Sequence, residues 1–336
     1  MYVDDCILLG PDENSFSSII QDLRSLKFDI EEVGQIKDYL GVEFTFNQDK
    51  SISLAQPHLI DQILQDLQFN EKTKTKDTPA ASTIILGAAE KSPPHDDQTF
   101  NYKSVIGKLN FLEKSTRPDI AYAVHQCARF SSNPRTPHSD AVRRIGRYLQ
   151  GTRDKGLIFR PDPKKGIECW ADADFSGNWD KERASFDAST ARSRSGYVIT
   201  YAGCPLLWAS KIQTEIALST TEAEYISLSQ SLREVISLMS LTEELKENDI
   251  PVFSKTPVIK CKVFEDNSGA VELARLPKVR PRTKHLNIKW HHFRQHVAKG
   301  LISVFQVTSV QQLGDMFTKP LPEELFQSLC QGIMGW

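Results

Sequence analysis

Acidic residues in the second half of the chain stand where carboxylates could bind metal ions. They occupy the ends of predicted strands and the starts of predicted helices: Asp172, Asp174, Glu222, Glu224, Asp266 and Asp315. Carboxylates at such positions of an open sheet can converge on one edge, although they are far apart in sequence. Mg²⁺ prefers carboxylate oxygens, and two such ions can activate a water and stabilise the leaving oxygen of a phosphodiester. The pattern therefore indicates a metal-dependent phosphodiester hydrolase.

Local chemistry distinguishes the two glutamates but not the two neighbouring aspartates. Ser219 is followed three residues later by Glu222, which is the spacing of a capping box at the start of a helix. This predicts that Glu222 satisfies backbone donors and that Glu224, two residues on, is free for a metal. For any one of these acids, stabilisation of the helix dipole is an alternative explanation. The residues alone leave Asp172 and Asp174 equivalent.

A second pair of carboxylates, Asp4 and Asp5, lies in the opening stretch "MYVDDCILLG". Paired carboxylates at a tight turn commonly hold catalytic metal ions. The short stretch before them contains no partner for such a site, so we expect half of a catalytic centre.

A basic segment follows the strand that ends at Asp266. Residues 273–300, "LARLPKVRPRTKHLNIKWHHFRQHVAKG", contain eight Lys or Arg and no Asp or Glu, although the net charge of the whole chain is -2. Such a block is a candidate phosphate-binding surface. A solvated basic face is the alternative.

Composition is typical of a globular protein. The chain has 336 residues, of which 40% are apolar and 25% charged, and this suits two or three domains. No apolar run approaches the ~20 residues that cross a bilayer, and the acidic start does not resemble a signal peptide. The six cysteines are scattered without a C-x-x-C pair, which argues against zinc and for a reducing, intracellular compartment.

Hydrophobic periodicity predicts three regions along the chain. Residues 1–80 contain a helix over 15–28, a strand over 38–46 with a hairpin turn at 47–50, and a helix over 57–69. Residues 70–98 read as a loop, and the region 81–163 is otherwise helical. Residues 164–336 combine three strands, a long helix, a strand, a short helix, a strand and a terminal helix. This order predicts an α/β domain.

Several motifs resemble the C-terminal part of the Pol polyprotein of copia-type LTR retrotransposons. "YVDD" resembles the palm signature of reverse transcriptase, and "YKSVIGKLNFLEKSTRPDIAYAVHQCARF" and "HSDAVRRIGRYLQGT" resemble the stretches that follow it. "WADADFSGNW", "SRSGYVITYAG", "ALSTTEAEYISLS", "EDNSGAVELA", "RTKHLNIKWHHFR" and "QLGDMFTKPL" resemble the ribonuclease H domain. The resemblance covers nearly the whole chain.

The resemblance implies a ribonuclease H-like domain over residues 164–336, with a five-stranded mixed sheet and flanking helices. Residues 1–80 would be an α+β end of the reverse transcriptase palm and thumb, and 81–163 a helical connection. The family cleaves the RNA strand of RNA–DNA hybrids with two Mg²⁺ ions, or Mn²⁺ as an alternative. Carried over by motif, the metal ligands and catalytic residues would be Asp172, Glu224, Asp266 and Asp315.

The same resemblance assigns roles to the remaining motifs. Asp4 and Asp5 would be a remnant of the polymerase site, so we expect no polymerase activity from this chain alone. Contacts to the hybrid would come from Arg282, Lys284, Lys289, Trp290 and Arg294. Partners would be the hybrid and other Pol products, without a membrane, in the cytoplasm (within a virus-like particle) or in the nucleus. The alternative is a degenerate element that binds nucleic acid without cleaving it; the oligomeric state stays open.

Overall fold

A small antiparallel sheet lies in the N-terminal part of the protein. The computed structural model describes residues 6–8, 13–252, 258–275 and 291–336. Its first helix, α1, spans Glu13–Ser25 and precedes the strands β1 (Asp38–Tyr39), β2 (Val42–Phe46) and β3 (Ile52–Ala55). A later strand, β4 (Leu157–Phe159), pairs with β3 and completes the order β1-β2-β3-β4. β4 was not predicted from the sequence.

The strand predicted over 38–46 is wrong, because the chain turns in its middle. Leu40 and Gly41 both have positive φ, at 53° and 75°. This is the backbone of a two-residue hairpin turn that matches the twist of the flanking strands. The apolar alternation across this stretch concealed the turn, and Leu40 is consequently exposed.

Helices form the middle region. α2 (Pro57–Asp66) begins with its proline in the first turn, as predicted. Residues 70–98 contain no helix or long strand, and α3 (Tyr102–Ser115), α4 (Ala121–Ala128) and α5 (Thr136–Gly151) follow. Their buried side chains share one core with the C-terminal helix α9 (Glu323–Met334), through residues such as Phe326 and Leu329.

The C-terminal region is built on a mixed sheet with flanking helices. Its strands are β5 (Ile167–Asp174), β6 (Arg194–Tyr201), β7 (Cys204–Ile212), β8 (Cys261–Glu265) and β9 (Ile302–Gln306). Their order is β7-β6-β5-β8-β9. β5, β6 and β7 are antiparallel, whereas β8 is parallel to both β5 and β9. This topology is the expected ribonuclease H-like fold, and the prediction of the fold class is confirmed.

The long helix α6 (Thr220–Glu247) covers one face of this sheet, and α7 (Ser268–Arg275) and α8 (Arg294–Ala298) complete the region. Alternate residues of β5, including Cys169 and Ala171, pack against α6 side chains such as Leu228. The intervening side chains of β5, Trp170 and Asp172, belong to the opposite face of the sheet, since successive side chains of a strand point to opposite faces. Within the described residues, no helix has the length and apolarity to cross a membrane.

Candidate active site

Three of the predicted acids meet at one end of the C-terminal sheet. Each of Asp172, Glu224 and Asp266 offers a carboxylate oxygen, and these oxygens lie within 4.8 Å of one another. Asp172 and Glu224 are buried, with exposed fractions of 2% and 7%, and Asp266 is half-buried. Three residues separated by up to 94 positions in sequence therefore present oxygens to one small volume.

The strand and helix that carry these acids are held together by a direct hydrogen bond. The hydroxyl of Ser227 on α6 donates to the backbone carbonyl of Asp172 on β5, with an Oγ–O distance of 2.7 Å. Ser227 is completely buried and follows Glu224 by one helical turn. Asp266 comes directly after β8, which pairs with β5 in parallel. The arrangement follows from carboxyl ends of neighbouring parallel strands meeting at the same edge.

Asp315 joins the site from a different element than expected. It lies in a 3₁₀ turn over Leu313–Phe317, and α9 begins only at Glu323, so the prediction of a position at the start of the last helix is wrong. Its side chain hydrogen-bonds to that of Asp172. Asp315 is 3% exposed.

Two glycines allow this turn to lie directly on the sheet. A Cβ at Gly314 would stand 2.8 Å from the Cβ of Asp172, and one at Gly196 on β6 would stand 2.7 Å from the Cβ of Phe317. Both distances are closer than real Cβ atoms approach. Gln312 fixes the turn further, since its Nε2 donates to the carbonyl of Ala171 at 2.9 Å. Asp315 is thereby positioned beside Asp172 by the close packing of its turn on the sheet, and not by a place at the start of a helix.

The two aspartates that the sequence left equivalent are separated by the structure. Asp174 is not part of the group formed by Asp172, Glu224 and Asp266. It is the cross-strand neighbour of Arg194. Burial, the largest cause, and the charge of Asp172 raise the pKa of Asp174, and the charges of Lys319 and Arg194 oppose this shift.

The two glutamates at the start of α6 have different contacts, as the capping argument predicts. The backbone N–H of Glu222 donates to the Ser219 hydroxyl at 3.2 Å, and the Glu222 carboxylate accepts from the N–H of Leu218 at 2.9 Å. The side chain of Glu222 thus satisfies a donor one residue before the expected one. Glu224 points to the metal-ligand group instead.

Sequence reasoning missed one acid of the site, Glu265. It is the last residue of β8 and is completely buried, on the same face of the strand as Cys261 and Val263. Its Oε1 accepts from the backbone N–H of Asn267 at 3.1 Å, whereas its Oε2 has no hydrogen-bond partner. The alternation of β8 was a usable signal, since it places Glu265 on the α6 side.

These residues form a carboxylate cluster, which we define as Asp172, Glu224, Glu265, Asp266 and Asp315. Burial is the largest cause that raises the pKa of Asp172, Glu224 and Glu265 above the ordinary value. The charges of neighbouring cluster members raise these pKa values further. Burial and then the charge of Asp172 raise the pKa of Asp315 to about 7. Gathered carboxylates in a dry site favour protons or cations.

Two side chains beyond Asp315 also reach the cluster. The hydroxyl of Thr318 donates a short hydrogen bond to Oδ2 of Asp172. Nζ of Lys319 lies 2.8 Å from Oδ1 of Asp315, one helical turn away along the chain. Neither residue was predicted, because the sequence around "FTKPL" has no pattern that indicates its proximity to Asp172.

The cluster is suited to a hard divalent cation. Its donors are all carboxylate oxygens, which are the ligands of Mg²⁺ and Mn²⁺ rather than of softer metals. Oε2 of Glu224 and Oε2 of Glu265 are buried without a hydrogen-bond partner, so the site has unused acceptors. Buried carboxylates without donors are costly unless a cation compensates them. The residues present fit a magnesium site.

The predicted nucleic-acid contacts can be placed only in part. Asp4, Asp5, Arg282, Lys284, Lys289 and Trp290 lie outside the described residues. Arg294 begins α8 and is half-buried. Burial raises the pKa of Tyr225 on α6 to about 12, and the charge of Arg294 opposes this shift. Nδ1 of His291 lies 2.7 Å from the hydroxyl of Tyr225, which follows Glu224 in sequence. The C-terminal end of the basic segment is thus attached to the helix that carries Glu224.

Comparison with known proteins gives relatives along the whole chain. A Pol polyprotein from transposon TNT 1-94 of Nicotiana tabacum is 32% identical over 343 residues, covering 100% of this chain and 24% of the relative. A Pol polyprotein from transposon RE1 of Arabidopsis thaliana is 30% identical over 334 residues, covering 99% of this chain and 21% of the relative. The chain therefore spans a quarter or less of these relatives. No family model matches.

A solved structure of LC11-RNase H1 in complex with an RNA/DNA hybrid also matches, with 16% identity and a TM-score of 0.30 over 45% of this chain and 93% of that one. A TM-score this low carries no weight, and the fold assignment rests on the strand order and directions given above. The Pol polyproteins of TNT 1-94 and RE1 match this chain along nearly its full length. The protein belongs to the family of copia-type retrotransposon Pol polyproteins and corresponds to their C-terminal part, with a ribonuclease H-like domain.

Proposed function

We propose that this chain hydrolyses the RNA strand of RNA–DNA hybrids with two divalent cations bound at the carboxylate cluster. The observation that carries the proposal is the meeting of Asp172, Glu224 and Asp266, whose oxygens lie within 4.8 Å of one another at the end of the sheet. Membership of the Pol family and the ribonuclease H-like topology support the same reaction. The acids are the expected ones, and their roles remain a prediction.

The cluster residues would divide between two cation positions. Asp172 is hydrogen-bonded to Asp315 on one side and lies in the Glu224–Asp266 group on the other, so it would be shared between the positions. When bound, Mg²⁺ would supply Lewis acidity at the phosphodiester and lower the pKa of water. Mn²⁺ has the same preference for oxygen ligands and would be the alternative.

The protein's own residues would orient the reacting groups. Ser227 fixes the backbone of Asp172, and Thr318 holds its carboxylate in one orientation. Gln312 and Gly314 fix the position of Asp315 on the sheet. Ligand carboxylates that are held in this way need little reorganisation when the substrate binds, because hydrogen bonds to the ligands fix their orientation.

Substrate would be held by the basic segment, whose described residue His291 contacts Tyr225 on α6. Nucleic-acid duplexes are bound chiefly through their phosphates, and RNA is distinguished from DNA through 2′-hydroxyl contacts. We propose Arg282, Lys284, Lys289 and Arg294 for phosphate contacts, with Trp290 as a packing surface. Attachment of His291 to Tyr225 would bring this segment to the same helix end as Glu224.

Incubation of the purified chain with a labelled RNA–DNA hybrid and Mg²⁺ tests the proposal. We expect cleavage of the RNA strand by the wild-type chain, none by Asp266→Asn, and none in EDTA. The matched control is Glu234→Gln, which removes an exposed acid from the same domain. Absence of cleavage by the wild type, or cleavage that persists in Asp266→Asn, would overturn the assignment.

Polymerase activity of this chain is a separate question. Asp4 and Asp5 lie outside the described residues, and the prediction that they do not support DNA synthesis stays untested. Primer extension on a poly(A)–oligo(dT) template, assayed beside hybrid cleavage, checks it. Extension by the chain would show that the prediction is wrong.

A further inference from the structure

Lys319 places a positive charge within the carboxylate cluster. Its Nζ lies 2.8 Å from Oδ1 of Asp315, whose side chain is only 4% exposed. The side chain of Lys319 is 37% exposed, so it reaches the cluster from the solvent side. The ammonium of Lys319 is therefore a cation in direct contact with the carboxylate cluster.

The position of this ammonium coincides with one side of the proposed metal site. Asp315 and Asp172 are hydrogen-bonded to each other, and both interact with Lys319. Glu224 and Asp266 form the metal-ligand group with Asp172. Oε2 of Glu224 and Oδ1 of Asp315 both lack a hydrogen-bond partner, but Oδ1 of Asp315 has the ammonium of Lys319 at 2.8 Å. The ammonium of Lys319 is thus paired with the Asp315 end of the cluster, whereas Oε2 of Glu224 remains an unused acceptor.

We propose that Lys319 is a built-in counter-ion that occupies the second cation position, between Asp172 and Asp315, until a divalent ion displaces it. The inference rests on the metal site of the proposed function but not on hydrolysis. The direct ion pair of Lys319 is with Asp315, so a cation at the Glu224–Asp266 side does not have to break it. A cation at the Asp315 side must displace the ammonium, because two cations 3–4 Å apart repel strongly in a partly dry site. The two positions therefore fill in order.

Displacement is feasible because of how Lys319 is placed. Its long side chain has rotamer freedom, and its partial exposure gives the ammonium a path to water without unfolding of the turn. Thr318 and Gly314 keep the backbone of the turn fixed on β5 while the lysine moves. Lys319 is a positioning residue for the second cation rather than a ligand.

The proposal is tested by titrating the full chain with Mn²⁺ and measuring the affinity of each site by calorimetry or electron paramagnetic resonance. We expect one tight and one weak site in the wild type. In Lys319→Met the weak site should tighten by roughly 10- to 100-fold, the range over which groups beside a metal site alter affinity. Lys319→Arg should keep the weak site weak. Lys262→Met is the matched control, since it removes an exposed lysine, paired with Glu168, from the opposite part of β8.

A second measurement separates competition from misfolding. Without divalent ions, Lys319→Met should have a lower melting temperature than the wild type, because the cluster loses its counter-ion, and Mn²⁺ should remove the difference. Unchanged Mn²⁺ affinities in Lys319→Met, or a weaker second site, would overturn the proposal while leaving hydrolysis untouched. Ordered Mn²⁺ binding without hybrid cleavage would support this inference and contradict the proposed function.

Discussion

Arg117 and Asp119 lie buried between helices of the middle region, whereas the carboxylate cluster lies buried at the end of the C-terminal sheet. Both residues of the ion pair are at most 1% exposed, and Arg117 Nη2 lies 2.8 Å from Asp119 Oδ2. The same guanidinium donates to the hydroxyl and the carbonyl of Thr152, and the hydroxyl of Tyr148 donates to Asp119 at 2.6 Å. The charges of this ion pair are therefore balanced and hydrogen-bonded.

The carboxylate cluster has neither property. It gathers side chains of one sign, and three buried oxygens, on Glu224, Glu265 and Asp315, have no hydrogen-bond partner. A balanced pair stabilises the fold or is neutral to it, whereas gathered like charges cost free energy until a cation arrives. Buried charge alone therefore does not indicate a functional site, whereas an excess of buried charge of one sign does.

Removing one member of the balanced pair should give the largest change in stability. We expect Arg117→Met to lower the free energy of unfolding by about 3–5 kcal/mol, because Asp119 is left buried and uncompensated. Urea denaturation measures it. The double variant Arg117→Met/Asp119→Leu should recover much of the loss. Asp172→Asn should instead leave the metal-free protein as stable as the wild type or more so, and equal losses in both regions would break the comparison.

Divalent ions should stabilise the wild type by a smaller amount. At a Mg²⁺ concentration about 100 times the dissociation constant, a single site adds about 2.7 kcal/mol to the free energy of unfolding. Thermal denaturation with and without Mg²⁺ reports the shift, which should vanish in Asp266→Asn and persist in Arg117→Met. A shift that survives in Asp266→Asn would place the ions elsewhere.

The stability of the metal-free protein should depend on pH through the ionisation of Asp315. Burial raises its folded pKa to about 7 from 3.8, so between these values the native state holds a proton that the unfolded chain releases. Its contribution to stability is therefore present below about pH 4 and is lost as the pH rises through 7, on the order of 4 kcal/mol. In denaturation experiments, Asp315→Asn should make the free energy of unfolding less dependent on pH between about 4 and 7. A variant with the same pH dependence as the wild type would contradict the raised pKa of Asp315.

The two glutamates of α6 should give the smallest effect on stability and the sharpest contrast in activity. Glu222→Gln keeps an acceptor for the Leu218 N–H, so unfolding should change by less than about 0.5 kcal/mol and hybrid cleavage should stay at the wild-type rate. Glu224→Gln should abolish cleavage while the helix remains folded by circular dichroism. Equal cleavage activity of the two variants would contradict the assignment of Glu222 as a helix cap and Glu224 as a metal ligand.

Much of this site could be predicted because it depends on strand ends and helix starts. Asp172, Glu224 and Asp266 stand at positions that a βαβ topology brings together, and the Ser219–Glu222 spacing distinguishes the cap from the ligand. The order of the periodic segments predicted an α/β domain, whereas the five-stranded mixed sheet and the choice of Asp172 over Asp174 came from the family resemblance.

What escaped prediction depends on contacts between distant segments. The Leu40–Gly41 turn was concealed by an apolar alternation that continues across it. The approach of the Asp315 turn to β5 depends on Gly314 and Gly196, whose spacing in the sequence does not indicate that they face one another. Lys319 reaches the cluster only as a consequence of that approach.

Crystals of the full chain grown with Mn²⁺, with diffraction measured at the manganese absorption edge, test the central claim most directly. We predict anomalous peaks within about 2.5 Å of the carboxylate oxygens, one among Asp172, Glu224 and Asp266 and the other between Asp172 and Asp315. Ordered carboxylates without a peak at either position, or peaks bound only to residues elsewhere, would contradict it.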